Sequence, residues 1–311
     1  MNLETAALAF SALLLKILPL YALMVAGFFF GRINPAGLQS LARLQIYLVI
    51  PVFFLLSLPN LGLTGRDFLL PLVCFLMAAC VAVLVFWLTR PRWNDKTPFM
   101  LTYACSGGNV GYYGIPVALA VLPPKSSALF ITAVVGVMAF GDTVGYYLMA
   151  RGRLTVQQGL IRALRLPIFW GMAAGLILGA VGYRLPALAA GITRDFQGCF
   201  SLLGAILVGA SLAQLKTVHL DRRLLGAALA GKFLLWPAVA GAIIAVDYFW
   251  VQMLPPASYI ALFLVSLVPL PGNLVAYAAD LGVHEDVAGG LVFASTLVAL
   301  IVIPLALAFT L

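Results

Sequence analysis

Two asparagines stand at matching points of two glycine- and proline-rich stretches in an otherwise apolar chain. The first stretch is S-G-G-N-V-G-Y-Y-G-I-P-V, from Ser106 to Val117, with Asn109 as its polar tip. The second is P-L-P-G-N-L-V-A-Y-A-A, from Pro269 to Ala279, where Pro271-Gly272-Asn273 echoes Gly108-Asn109. The flanks are apolar enough to cross a bilayer. The middle of the first stretch is not built as a continuous helix: Gly107, Gly108, Gly111 and Gly114 loosen the backbone, and Pro116 removes a hydrogen-bond donor. In lipid, a broken helix persists only where protein or a wet cavity satisfies the freed N–H and C=O groups. An amide side chain offers donors and an acceptor without a buried charge. Half-helix N-termini add free N–H groups and positive partial charge. Together these could hold a carboxylate. The plainer reading is that each asparagine caps its own broken helix. Their paired placement in two halves of the chain favours a shared binding site.

Other residues could tune such a site. Lys232, in A-L-A-G-K-F-L-L-W-P, lies roughly 12 Å into an apolar span at helical rise. An ionisable group at that depth points to function, either offsetting substrate charge or alternating with a proton. The alternative is a lysine that reaches back to the headgroups. Asp142, in M-A-F-G-D-T-V-G-Y-Y, is the one acid placed clearly inside a span. It could carry a coupling proton or form a structural ion pair with Lys232, and the pair is the favoured expectation. Tyr112, Tyr113 and Tyr277 flank the breaks and could either stack on a ligand or pack between helices. Gln45 and Ser106 are weaker candidates for a cavity wall, and Lys16 reads as an interfacial anchor. His219 and His284 fall in short loops and are expected to be solvated or interfacial; their spacing makes no metal site. Cys74, Cys80, Cys105 and Cys199 form no C-x-x-C and read as packing residues. No H-E-x-x-H, Walker loop or G-x-S-x-G occurs, so neither an enzyme nor an ATP-driven pump is indicated. Nothing in the sequence calls for a cofactor or a metal.

Composition defines the elements that must position these residues. Of 311 residues, 64% are hydrophobic and 9% charged, with a mean hydropathy of +1.10; soluble domains carry about 25% charged residues. This is an all-α integral membrane protein. The net charge of +8 fits basic cytoplasmic loops rather than nucleic acid. The polar start (Asn2, Glu4, Thr5) runs into a long apolar segment without an A-x-A-type site, so it reads as a first spanning helix. Spans of about 20 residues are expected at roughly 8–31, 37–59, 67–89, 98–122, 127–150, 166–183, 199–215, 224–246, 256–279 and 286–310, ten in all. The basic stretch 151–165 separates the two halves and could lie on the membrane surface. Leu18–Gly31 aligns with Leu166–Gly179 through identical Leu, Pro, Met, Ala and Gly positions. The halves 1–150 and 166–311 therefore read as repeats. An odd number of spans in each makes them inverted. The second half carries extra residues, expected as a loop around 183–197. If the N-terminus lies outside, Arg32, Arg43, Arg90, Arg92, Lys96, Arg151, Arg153, Arg162, Arg165, Lys216, Arg222 and Arg223 face the cytoplasm. Only Arg66, Lys125, Arg184 and Arg194 face out. Both termini are thus expected outside, in a cell inner membrane.

Three stretches resemble the auxin efflux carrier family, whose bacterial members are often labelled malate or malonate permeases: Gly108–Val117, Pro271–Ala278 and V-F-A-S-T-L-V-A-L-I-V-I-P-L at Val292–Leu305. The resemblance covers essentially the whole chain. It implies two inverted five-helix repeats with crossed, broken helices four and nine, as in bile-acid symporters and crossed-helix sodium/proton antiporters. It implies a scaffold from about 8–59 and 166–215, and an elevator-type transport domain from about 67–150 and 224–310. It implies a small organic anion as substrate and often a homodimer. Asn109 and Asn273 match the positions where the family binds a carboxylate, with Gly108, Gly272, Tyr113, Pro116 and Pro271 around them. The long hydrophilic loop of the plant carriers is short here, which argues against auxin itself. A cation- or proton-coupled exchanger on the same fold and a non-transporting receptor are the alternatives.

Overall fold

The computed structural model describes residues 3–150, 157, 158, 161, 164–214 and 221–309. Among these the ordered elements are all helical. In chain order they are α1 (Leu3–Ile33), α2 (Gly37–Asn60), α3 (Gly65–Thr89), α4 (Thr97–Ser106), α5 (110–121), α6 (Pro124–Met149), α7 (Pro167–Ala180), α8 (Ala189–Ala213), α9 (Arg222–Val251), α10 (Ala257–Leu267), α11 (Asn273–Leu281) and α12 (Glu285–Ala308). Among the described residues, seven of these helices are long and apolar enough to cross a membrane. α7 and α10 are shorter apolar helices. Large apolar side chains such as Leu15, Trp87, Trp170, Leu234 and Ile301 are exposed on the outer surface, where lipid rather than water is the compatible solvent. The chain is a multi-pass membrane protein.

Prolines shape the long helices locally. α2, α5 and α9 have wide π-turns at Gln45–Val49, Val110–Gly114 and Gly231–Leu235. Each ends two residues before a proline: Pro51, Pro116 and Pro237. A proline ring clashes with the carbonyl four residues back and has no N–H to give it. Widening the preceding turn relieves that clash while the helix continues.

Glycines set how closely the helices cross. In lipid there is no hydrophobic drive between helices, so association depends on close packing across small residues. α1 lies along α8, and α2 along α7. A Cβ added to Gly27 or Gly209 would collide with the backbone of Ile206 or Met24. At the other crossing, a Cβ on Gly175 would stand 2.5 Å from the carbonyl oxygen of Phe54. Gly27 and Gly175 are aligned positions of the two similar segments. Both let the partner helix's backbone approach. A third such contact seats Gly136 of α6 against the Pro71 backbone of α3.

Several expectations are corrected. The first break is not twelve residues long: the chain leaves helical form only at Gly107–Asn109 and resumes as the π-turn at Val110. Gly111 and Gly114 thus lie within helix. The loop expected around 183–197 is largely helix, because α8 starts at Ala189. Its first turns carry Thr193, Arg194, Asp195 and Gln197; a helix that projects past the apolar layer satisfies its own backbone and can carry such residues. α9 runs to Val251, beyond the expected 246. Acids other than Asp142 are also buried in helices: Asp67 and Asp247 are both under 9% exposed. Asp67 is paired with Lys125 at 2.8 Å. Asp247 is held by the N–H groups of Met253 and Leu254 and by the Tyr259 hydroxyl. Of the basic stretch 151–165 most residues, and all of His219's loop from 215 to 220, lie outside the described residues.

Candidate functional site

The two breaks meet. The backbone N–H of Asn109 donates to the carbonyl of Pro269 at 2.8 Å. A Cβ on Gly107 would stand 3.0 Å from Pro271, and one on Gly272 would stand 3.8 Å from Asn109 Nδ2. Each side of the junction is braced by a helix behind it. The Leu270 N–H in the second break donates to Ser295 Oγ of α12 at 3.1 Å. At the first break, α4 ends with its carbonyls pointing at the junction, the negative end of its dipole. Lys232 Nζ of α9 donates to the Gly107 carbonyl at 2.8 Å. Trp236, one turn further along α9, donates from Nε1 to the Cys105 carbonyl. The ammonium also sits 4.6 Å from the Trp236 ring centroid, a favourable cation–π distance.

Lys232 therefore neither reaches to the headgroups nor pairs with Asp142. It is 0% exposed, and its partners are the Gly107 carbonyl and the Trp236 ring. The expected ion pair fails because Lys232 faces the end of α4. Asp142 lies in the π-turn Gly141–Gly145 of α6, where Oδ1 accepts from the Tyr277 hydroxyl at 2.9 Å. The Tyr146 hydroxyl of α6 donates in turn to Asp280 Oδ2 of α11 at 2.5 Å. The Tyr146 and Tyr277 rings meet edge to face at 4.6 Å. Two tyrosine–aspartate bonds running in opposite directions thus clasp α6 to α11.

A cavity of about 230 Å³ lies at the junction. Its wall includes Gly108, Asn109, Pro271, Gly272, Asn273, Asp142, Tyr112 and Tyr277. Of the residues the sequence singled out, these come together. Tyr113, Pro116, Lys232, Gln45 and Ser106 are buried but do not line it. Gln45 instead donates from Nε2 to the Phe200 carbonyl at 3.2 Å. Lys16 is exposed on α1. His284 is half-buried at the start of α12, against Thr97 Oγ1 (3.1 Å) and Asp95 (3.3 Å). The rest of the wall is apolar or aromatic, with Ile46, Ile50, Phe54, Tyr103, Val137, Met138 and Phe200 prominent. Phe200 stacks on Phe53 at 4.6 Å with an interplanar angle of 9°. Sequence reasoning missed Tyr103, Phe200 and Trp236. Trp236 had a signal, since it follows Lys232 at the i,i+4 spacing that places two side chains on one helix face.

The chain matches no family model and no curated protein.

The arrangement is suited to holding a molecule. Among the described residues the cavity wall carries no Ser, Cys or His to act as nucleophile or base. No group of three His, Cys, Asp or Glu could hold a metal ion among them either. What the wall does carry is two amides, an aromatic set and one carboxylate. The first turns of α5 and α11 flank it; in α11 the Leu274 and Val275 N–H groups are already taken by the Pro271 and Gly272 carbonyls, and in α5 those of Tyr113 and Gly114 by the Asn109 carbonyl.

Proposed function

We propose that this chain is a secondary transporter of small organic anions, with a carboxylate held between Asn109 and Asn273. The observation that carries this reading is that both asparagines lie on one cavity wall where two interrupted helices are tied together. Two helix N-termini converge there with amide donors, an environment that favours a negative guest. The apolar and aromatic remainder of the wall suits a small hydrocarbon or aromatic body on that anion. Lys232 stands behind the wall and answers the carbonyl end of α4, so the positive helix ends are left for the ligand.

On this reading the chain is ten spans in two inverted five-helix repeats, with the α4–α5 and α10–α11 pairs as the crossed, broken spans. The aligned Gly27 and Gly175 support it. So does the exchange of helix pairs: α1 of the first half packs on α8 of the second, as α7 of the second packs on α2 of the first. The motif resemblance to auxin efflux carriers supports the same assignment, including an elevator-type movement of 67–150 and 224–310 against the scaffold.

A second reading, proton coupling on the same fold, is favoured by Asp142 on the cavity wall. A carboxylate beside an anion site repels the guest unless it takes up a proton, so anion and proton would move together. Uptake of radiolabelled mono- and dicarboxylates by purified protein in liposomes tests both readings. The Asn109→Ala/Asn273→Ala variant is expected to lose saturable uptake, and Asp142→Asn to lose its response to an imposed pH gradient. Wild-type flux in the double variant would overturn the site. Cation flux with no organic solute present would turn the assignment to an ion exchanger.

A further inference from the structure

On the lipid-facing side of the molecule, away from the cavity, the end of α3 and the start of α9 diverge. They leave a groove of about 460 Å³. Its walls are apolar: Val85 and Leu88 on α3, and Ala227, Ala230 and Leu234 on α9. Leu234 is 69% exposed, so this face is open to the bilayer. The mouth is different. Arg92 and Trp93 line it, and the Arg223 guanidinium carbon lies 4.9 Å from the Trp93 ring centroid. Arg223 Nη2 donates to the Arg92 main-chain carbonyl at 3.4 Å, and the Arg92 guanidinium donates from Nη1 to the Leu88 carbonyl at the end of α3, so both arginines stand at this mouth. Arg90 and Arg222 are exposed beside them.

Among the described residues no acid answers this charge: neither Arg92 nor Arg223 forms an ion pair. Asp221, next in the chain to Arg222, caps α9 by accepting from the Arg223 backbone N–H at 2.9 Å. Asp95 is turned toward Thr97 and His284. Clustered arginines at the end of an apolar groove, with an indole at the same level, match the layers of a phospholipid. The acyl chain lies in hydrocarbon, the tryptophan sits at the interface, and the guanidinium donors meet the phosphodiester.

We propose that this groove is a binding site for an anionic glycerophospholipid, with its headgroup at Arg92 and Arg223 and an acyl chain along Leu88, Ala230 and Leu234. The occupant would pack on the back of the turn that carries Lys232, since Gly231 and Leu235 line the groove while Lys232 faces the first break. This assignment stands whatever solute the cavity takes.

Native mass spectrometry of the purified protein, incubated with equimolar phosphatidylglycerol and phosphatidylcholine, tests it. Wild type is expected to retain phosphatidylglycerol over phosphatidylcholine by about thirtyfold, from two arginine–headgroup contacts. Arg92→Gln/Arg223→Gln is expected to retain the two lipids equally, with an unchanged melting temperature as the check on folding. Ala230→Trp fills the groove and is expected to reduce retention of both lipids with the arginines intact. Equal retention of the two lipids by wild type, or undiminished preference in the arginine variant, would overturn the proposal. So would displacement of the lipid by inorganic phosphate alone, which would make the site one for a free anion.

Discussion

The amide N–H of Asn109 and the carbonyl of Pro269 are joined at 2.8 Å, so the two breaks form one structural unit. The bond uses main-chain atoms only. The Asn109 side chain is thus free to face the cavity while its backbone holds the junction. Substitutions of the side chain should therefore alter binding before they alter assembly.

The Lys232 contact should be energetically coupled to Gly108. A Cβ at position 108 would stand 2.8 Å from Val268 Cγ2 and 3.0 Å from Lys232 Nζ. Gly108→Ala should cost about 1–3 kcal/mol through overpacking. Lys232→Met leaves the Gly107 carbonyl without its buried partner and should cost about 1–3 kcal/mol as well. Because both act on the same contact, the double variant should be more stable than the sum of the single losses implies. Denaturant unfolding of the four proteins in mild detergent measures the coupling. Strict additivity would show that the lysine and the break are independent.

The helix crossings should be sensitive to single methyl groups at some glycines and indifferent at others. Gly209→Ala drives a Cβ into the Met24 backbone and should cost about 1–3 kcal/mol or more. Gly226 and Gly241 have open space where a Cβ would go, so alanine there should fall within about 1 kcal/mol of wild type. Melting temperatures of the three variants, with size-exclusion profiles, distinguish packing from a general intolerance of helix substitution.

Acid should loosen the tie between the start of α4 and the α11–α12 turn. Partial burial pushes the Asp95 carboxyl up, but the Thr97 N–H and hydroxyl, with His284 nearby, outweigh this and hold it below the usual aspartate range. A group with a lowered folded-state value adds stability that is present above its unfolded value, about 3.9. That stability is lost as pH falls through the lower folded value. Asp95 is half exposed, so solvent keeps the contribution small. Melting temperature followed from about pH 6 to pH 3 should fall less steeply in Asp95→Asn than in wild type. Identical acid limbs would remove Asp95 from the tie.

The class of the protein and the two asparagines at its breaks were legible in the chain itself. An apolar composition with 9% charge leaves no route to a soluble fold. Glycine and proline mark candidate breaks by what their backbones resist. That is why Asn109 and Asn273 could be singled out without coordinates. The extent of the first break was less legible, because Gly111, Gly114 and Pro116 also suit a π-turn. Only packing decides whether such residues unwind the chain or merely widen it.

Partners were decided by the tertiary structure alone. Lys232 and Asp142 are the obvious ion pair on paper, yet the lysine caps α4 and the aspartate bonds Tyr277. In a membrane helix apolar on nearly every side, no amphipathic stripe tells which face turns inward. The rotation of α9 is set by small residues at its contacts, such as Gly231 against Cys105. That rotation, which no local pattern encodes, determines what the buried charge meets.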